Sequence, residues 1–171
     1  NHKVYYHSLG ETQDKDLLIY EDNRNPLRYN NVSVSEDNKY LFLTVAEGTD
    51  GFECHYKPAD MKKGGFIPLF TGFDHKSSII DHQDGLFYVH TDIEAPNYRV
   101  VAIDPKKPER ENWKEIIPEK KDLLEQVKSM GGKLFALYLQ DVASHLFQFG
   151  FDGTQEKEIG FPVICSANIE Y

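Results

Sequence analysis

Ser35-Glu36-Asp37-Asn38-Lys39-Tyr40-Leu41-Phe42-Leu43 is a tight turn running into a strand, and the same device returns twice further on. Gln83-Asp84-Gly85 precedes Leu86-Phe87-Tyr88-Val89, and Met130-Gly131-Gly132 precedes Lys133-Leu134-Phe135-Ala136-Leu137. Tyr40 to Leu86 is 46 residues and Leu86 to Leu134 is 48. Each copy continues into an acidic loop (Glu47–Phe52, Asp92–Tyr98, Asp141–Ser144), a third strand, a Gly- or Pro-bearing turn and a fourth strand. Four antiparallel strands in every roughly 40–50 residues is the signature of a propeller blade.

Outward from these repeats, strands are expected at Lys3–His7, Leu17–Glu21, Asn31–Val34, Tyr40–Ala46, Glu53–Pro58 and Phe66–Phe70. Further strands are expected at Lys76–Asp81, Leu86–Thr91, Arg99–Ile103, Lys114–Ile117, Lys133–Gln140, His145–Gly150, Thr154–Ile159 and Val163–Asn168. Short strands at such spacing belong to all-β architectures. The segment Lys120–Met130 reads two ways. Leu123, Leu124, Val127 and Met130 stand at helical spacing behind Asp122, whereas the repeat requires a strand, and the repeat is preferred.

The expected fold is therefore all-β, a partial propeller of three full four-stranded blades and two incomplete ones. Residues 1–25 end one blade; 26–72, 73–118 and 119–161 form the full blades; 162–171 supply the first strand of the next. Propellers close with four to eight blades, so the chain reads as a fragment. Open terminal sheets and unpaired strand edges template association, so it is expected to associate with itself, Val163–Asn168 pairing with Lys3–His7 of a neighbour.

Composition agrees with the β reading: 13% of the 171 residues are aromatic, including ten Tyr and eleven Phe. The net charge of −9 repels phosphate, which argues against nucleic acid or an anionic membrane as partner. No apolar run approaches spanning length. A soluble protein, cytoplasmic or periplasmic, is expected, with the compartment open. Cys54 and Cys165 lack CxxC spacing and read as free, half-buried thiols.

Several stretches carry a family resemblance, all in one order. They are Val4-Tyr5-Tyr6-His7-Ser8-Leu9-Gly10, Val34–Leu41 ending in Glu47-Gly48-Thr49-Asp50, and Thr91-Asp92 with Ala95-Pro96-Asn97-Tyr98-Arg99. Trp113 with Ile117-Pro118-Glu119, and Tyr138-Leu139-Gln140-Asp141-Val142, extend it. Together they resemble the N-terminal β-propeller of prolyl oligopeptidases. Asn38 stands where many relatives have Gly, a substitution that a positive-φ turn tolerates. Asp92-Ile93-Glu94 is more acidic and more apolar than the corresponding loop of relatives.

The resemblance implies a parent enzyme that hydrolyses short peptides after proline, using a Ser-His-Asp triad on an α/β-hydrolase domain. No serine of this chain has the Gly-x-Ser-x-Gly flanks of that domain's nucleophile elbow, so no catalytic residue is assigned here. No cofactor is expected. His75, His82 and His90 lack metal-ligand spacing, and no metal site is assigned. Asp81-His82-Gln83-Asp84 reads as local turn chemistry, and His55 and His145 as half-exposed residues of third strands.

Alternate hairpin turns lie on opposite faces of an antiparallel disc. The three second-to-third-strand loops therefore share one face. The resemblance turns that face toward the catalytic domain, with Asp50, Asp92, Glu94, Asn97, Arg99 and Asp141 lining the substrate chamber or the domain interface. The implied partners are the remaining blades, the α/β-hydrolase domain and short proline-containing peptides. The implied role is a non-catalytic cover that restricts access to the active site. Two other readings stand beside it: a stand-alone propeller-like scaffold binding a protein on one loop face, and a hydrolase with a metal in the channel. The second lacks inward ligands, since Ser33, Ser78 and Ile80 offer none.

Overall fold

A computed structural model describes residues 2–60 and 64–170. Residues 61–63, within the interval expected to form the blade 26–72, lie outside the described residues. The first sheet is a two-stranded antiparallel pair, β1 (Lys3–Tyr6) and β2 (Leu17–Glu21). Three four-stranded antiparallel sheets follow, each with its strands in chain order. They are β3 (Tyr29–Val34), β4 (Tyr40–Ala46), β5 (Phe52–Pro58) and β6 (Ile67–Phe70); then β7 (Ser78–Gln83), β8 (Leu86–Thr91), β9 (Arg99–Ile103) and β10 (Lys114–Ile117); then β11 (Leu123–Met130), β12 (Lys133–Gln140), β13 (Ala143–Phe149) and β14 (Lys157–Ile159). This is a partial β-propeller.

Side chains alternate across each strand, and the middle sheet uses both faces. Phe87, Val89, Val101 and Ile103 pack with Phe42 against the preceding sheet. Tyr88, Val100 and Ala102 pack with Leu124, Val127, Leu134, Ala136 and Tyr138 against the following one. That explains why Val100-Val101-Ala102-Ile103 is an unbroken apolar run: a strand buried on both faces has no side to leave polar. Burying each large side chain contributes about 1.5–3 kcal/mol. The outlying pair is different, with Tyr5, Tyr6, Leu17 and Leu18 exposed.

Residues 123–130 form a strand, and the helical spacing has a simple cause. The β11–β12 register passes from Leu124↔Tyr138 to Gln126↔Leu137, so Glu125 is an extra residue in a bulge. The bulge inverts the alternation, and Leu124 and Val127, three apart, both enter the same core. The expected strand Val163–Asn168 requires correction. Residues 160–170 form no strand and join no ladder with the described strands. Single contacts hold them instead: Ser144 N donates to Cys165 O (2.9 Å), Ala167 N to Ser144 Oγ (2.9 Å) and Ile169 N to Gln126 Oε1 (2.9 Å). No helix among the described residues is long and apolar enough to cross a membrane.

Candidate functional site: two faces and an axial cleft

The first turns of the three sheets gather at one end. Asp81, at the end of the β7 bulge, is 2% exposed and serves all three. Its Oδ1 accepts from Glu36 N (2.9 Å) and His82 N (2.8 Å), and its Oδ2 accepts from Ser129 Oγ (2.7 Å). Glu36 Oε1 in turn accepts from Gly131 N at 3.0 Å, spanning the middle sheet. Asp37 accepts from Ser35 Oγ (2.7 Å) and from the buried His82 ring through Nδ1 (2.8 Å). Burial pushes the Asp37 carboxyl up, but the bonds from Ser35, His82 and Lys39 outweigh it and hold the group well below its ordinary range. Turn chemistry here is relaxed: Asn38 (φ 58°) and Asp84 (φ 53°) are residue types that tolerate the left-handed region. The reading of Asp81-His82 as purely local turn bonding is corrected: beside the bond from His82 N to Asp81, their partners lie 45 and 48 residues away.

The opposite face carries the second-to-third-strand loops. Phe52 N donates to His75 O (2.9 Å), Lys76 N to Asp92 Oδ1 (3.0 Å), and Leu124 N to Asn97 O (3.0 Å), so loops and inter-sheet connections interleave along this face. Asp92 is thus tied to its neighbour, and His75 Nδ1 also reaches it at 3.2 Å. Asn97 is tied as well, its Nδ2 reaching Lys120 O (3.2 Å) and Lys121 O (3.3 Å), while its backbone N meets Glu119 Oε1 (2.6 Å). Arg99 and Glu94 come together at 3.6 Å. Arg99 also faces Glu115 at 3.4 Å, and Glu94 pairs with Arg110 at 2.7 Å. The Arg99 side chain is only 18% exposed, and its Nε is buried without a partner. Asp50 and Asp141 stand exposed in separate loops.

Of the clefts that the inner strands border, two lie toward opposite faces. The one toward the loop face holds about 520 Å³ and is lined by Ser78, His90, Glu125, Gln126 and Lys128, with Asn168 at its rim. The other, of about 400 Å³, lies at the first turns beside Glu36, Asp81 and Ser129. His90 stacks on Tyr98 (4.6 Å) and donates from Nε2 to Leu124 O (2.9 Å). Burial draws its imidazole below the ordinary value, partly offset by that carbonyl and by Asp92. Cys54 is buried against Ser77 O, and burial pushes its thiol up to about 12. No group of three or more potential metal ligands occurs among the described residues. Asp81 and Ser129 were not singled out from sequence as linking residues; a charged residue amid the apolar Ile79-Ile80 start of a strand was the available signal.

Comparison with known proteins places this geometry. The family model for the prolyl oligopeptidase N-terminal β-propeller domain matches residues 1–170. The prolyl endopeptidase of Elizabethkingia miricola is 38% identical over 162 residues, 94% of this chain and 23% of that protein. The dual function macrocyclase-peptidase of Amanita bisporigera is 31% identical over 174 residues, 97% of this chain and 24% of that one. Among solved structures, one from a study of inter-domain dynamics in catalysis and specificity of two prolyl endopeptidases has a TM-score of 0.83 at 32% identity, covering 95% of this chain and 24% of that one. Prolyl oligopeptidase B from Galerina marginata, apo, gives 0.84 at 27%, covering 96% and 24%. The chain therefore spans about a quarter of the length of these relatives.

Proposed function

Since the chain belongs to the prolyl oligopeptidase N-terminal β-propeller family, we propose that it is the non-catalytic part of a serine peptidase. In this reading its loop face is seated over the active site and admits short proline-containing peptides while excluding folded proteins. The observation that carries the reading is the match itself: almost the whole chain aligns with a propeller segment of about a quarter of each relative. The missing nucleophile elbow supports it, because hydrolysis then needs a serine from elsewhere.

The loop residues divide by their bonds. Asp92 and Asn97 spend their polar atoms on neighbouring segments and hold the loop's shape. Arg99 is wrapped by Glu94 and Glu115, which favours a positioning role over capture of a peptide carboxylate. Asp50 and Asp141 project into solvent and, with the exposed Glu94 that pairs with Arg99 and Arg110, are the residues proposed to meet a substrate or the catalytic domain. The test compares the purified 171-residue chain with the full-length protein on a chromogenic proline peptide and on a folded protein containing exposed prolines. The expected result is no turnover by the chain, cleavage of the peptide by the full-length protein, and sparing of the folded protein. Turnover by the chain alone that a serine-directed inhibitor abolishes, or equal cleavage of peptide and folded protein, contradicts the reading.

A further inference from the structure

Asn97 spends four hydrogen bonds on one short stretch, residues 119–124. Its N donates to Glu119 Oε1, its Nδ2 to Lys120 O and Lys121 O, and its O receives Leu124 N. In the neighbouring loops the corresponding links are the backbone bonds from Phe52 N to His75 O and from Ser144 N to Cys165 O. The loop that Asn97 serves has a backbone in need of holding. Glu94 (φ 53°) and Tyr98 (φ 66°) both sit in the left-handed region, which neither residue type favours. Such backbone persists where its surroundings over-determine it.

The stretch that holds Asn97 is itself anchored, and by the following sheet. Lys120 Nζ lies over three rings, those of Tyr138 (5.0 Å), Phe147 (5.1 Å) and Phe149 (5.8 Å), and it pairs with Glu156. Tyr138 and Phe149 are buried. An ammonium group is drawn most strongly to ring faces that are shielded from water. Lys120 therefore works in two directions. Its carbonyl receives the loop of the second complete sheet, and its ammonium is gripped by β12, β13 and the turn before β14 of the third.

We propose that Lys120 is a positioning residue that fixes loop 92–98 through Asn97, with its ammonium anchored among Tyr138, Phe147, Phe149 and Glu156. Its bearing on peptide binding rests on the function proposed above, in which Glu94 of this loop is an exposed contact residue; the anchoring does not. The consequence is that the packing of two sheets sets the shape of a loop on the face above them.

Amide hydrogen exchange and peptide kinetics on the full-length protein test it. Lys120→Met keeps an unbranched side chain and removes the charge, whereas Lys120→Arg keeps a cation for the rings and for Glu156. Lys120→Met is expected to speed exchange at Asn97 and Tyr98 by about tenfold and to leave residues 36–39, in a first turn of the opposite face, unchanged. It is also expected to raise KM for a proline peptide with kcat retained. Lys120→Arg is expected to restore both. Native exchange at Asn97 and Tyr98 in Lys120→Met, a rise spread equally over all three sheets, or no restoration by arginine overturns the anchoring. A native KM beside a loosened loop overturns the bearing on peptide binding. If the native full-length protein leaves the peptide uncut, the proposed function has failed, and exchange at Asn97 and Tyr98 still decides the anchoring.

Discussion

The two faces of this propeller segment are built on different terms. At the first turns, a buried carboxylate gathers three donors from three sheets, and the turns use residues suited to their backbone. At the loops, links between sheets rest on backbone bonds and on the less buried side chains of Asp92 and Asn97, and Glu94, Tyr98, Asp141 and Val142 sit at positive φ. Hydrogen bonds to a buried charge stabilise strongly because the alternative is an unpaired group out of water. Exposed ion pairs contribute little. One face therefore holds the blades together, and the other is left available.

The largest expected effect comes from breaking the stronger face. Asp81→Ala removes the carboxylate that receives Glu36 N, His82 N and Ser129 Oγ and is expected to cost about 3 kcal/mol. Asp92→Ala on the loop face loses exposed partners and is expected to cost about 0.5 kcal/mol. Urea unfolding followed by Trp113, which packs edge-on against Phe70 at the seam of the first two complete sheets, measures both. Equal losses would erase the distinction between the faces.

A smaller effect sharpens the same contrast through pH. The folded Asp37 carboxyl lies below its ordinary value of 3.8. Its contribution is therefore complete above about pH 4 and is lost as pH falls through the lower folded value. Asp37→Asn is expected to cost about 1 kcal/mol at pH 7, discounted for partial exposure. The difference from the native chain should shrink progressively as pH falls from about 4 toward 2. A penalty unchanged at pH 2 would show that the side chain acts by shape, not charge.

The blade plan was legible because turn residues and alternation repeat at 46 and 48 residues. The segment 120–130 misled its own periodicity, since a bulge at Glu125 produces a spacing of three without a helix. Val163–Asn168 carries strand composition but has no ladder partner among the described residues, and composition cannot supply one. Of the loop residues singled out from sequence, Glu94 and Arg99 meet. Which of them are bound up was not readable, because it depends on Lys76, Glu115 and Lys120, brought in by other segments. Asp81 was hidden for the same reason: its partners are distant in sequence.

Amide hydrogen exchange, compared between this chain and the full-length protein, tests the division most directly. The proposed function requires residues 92–98 and 141–144 to exchange markedly more slowly in the full-length protein than in this chain. Residues 36–39, 84–85 and 131–132 should exchange at the same rate in both. Unchanged exchange in the loops, or new protection confined to the first turns, would contradict the account.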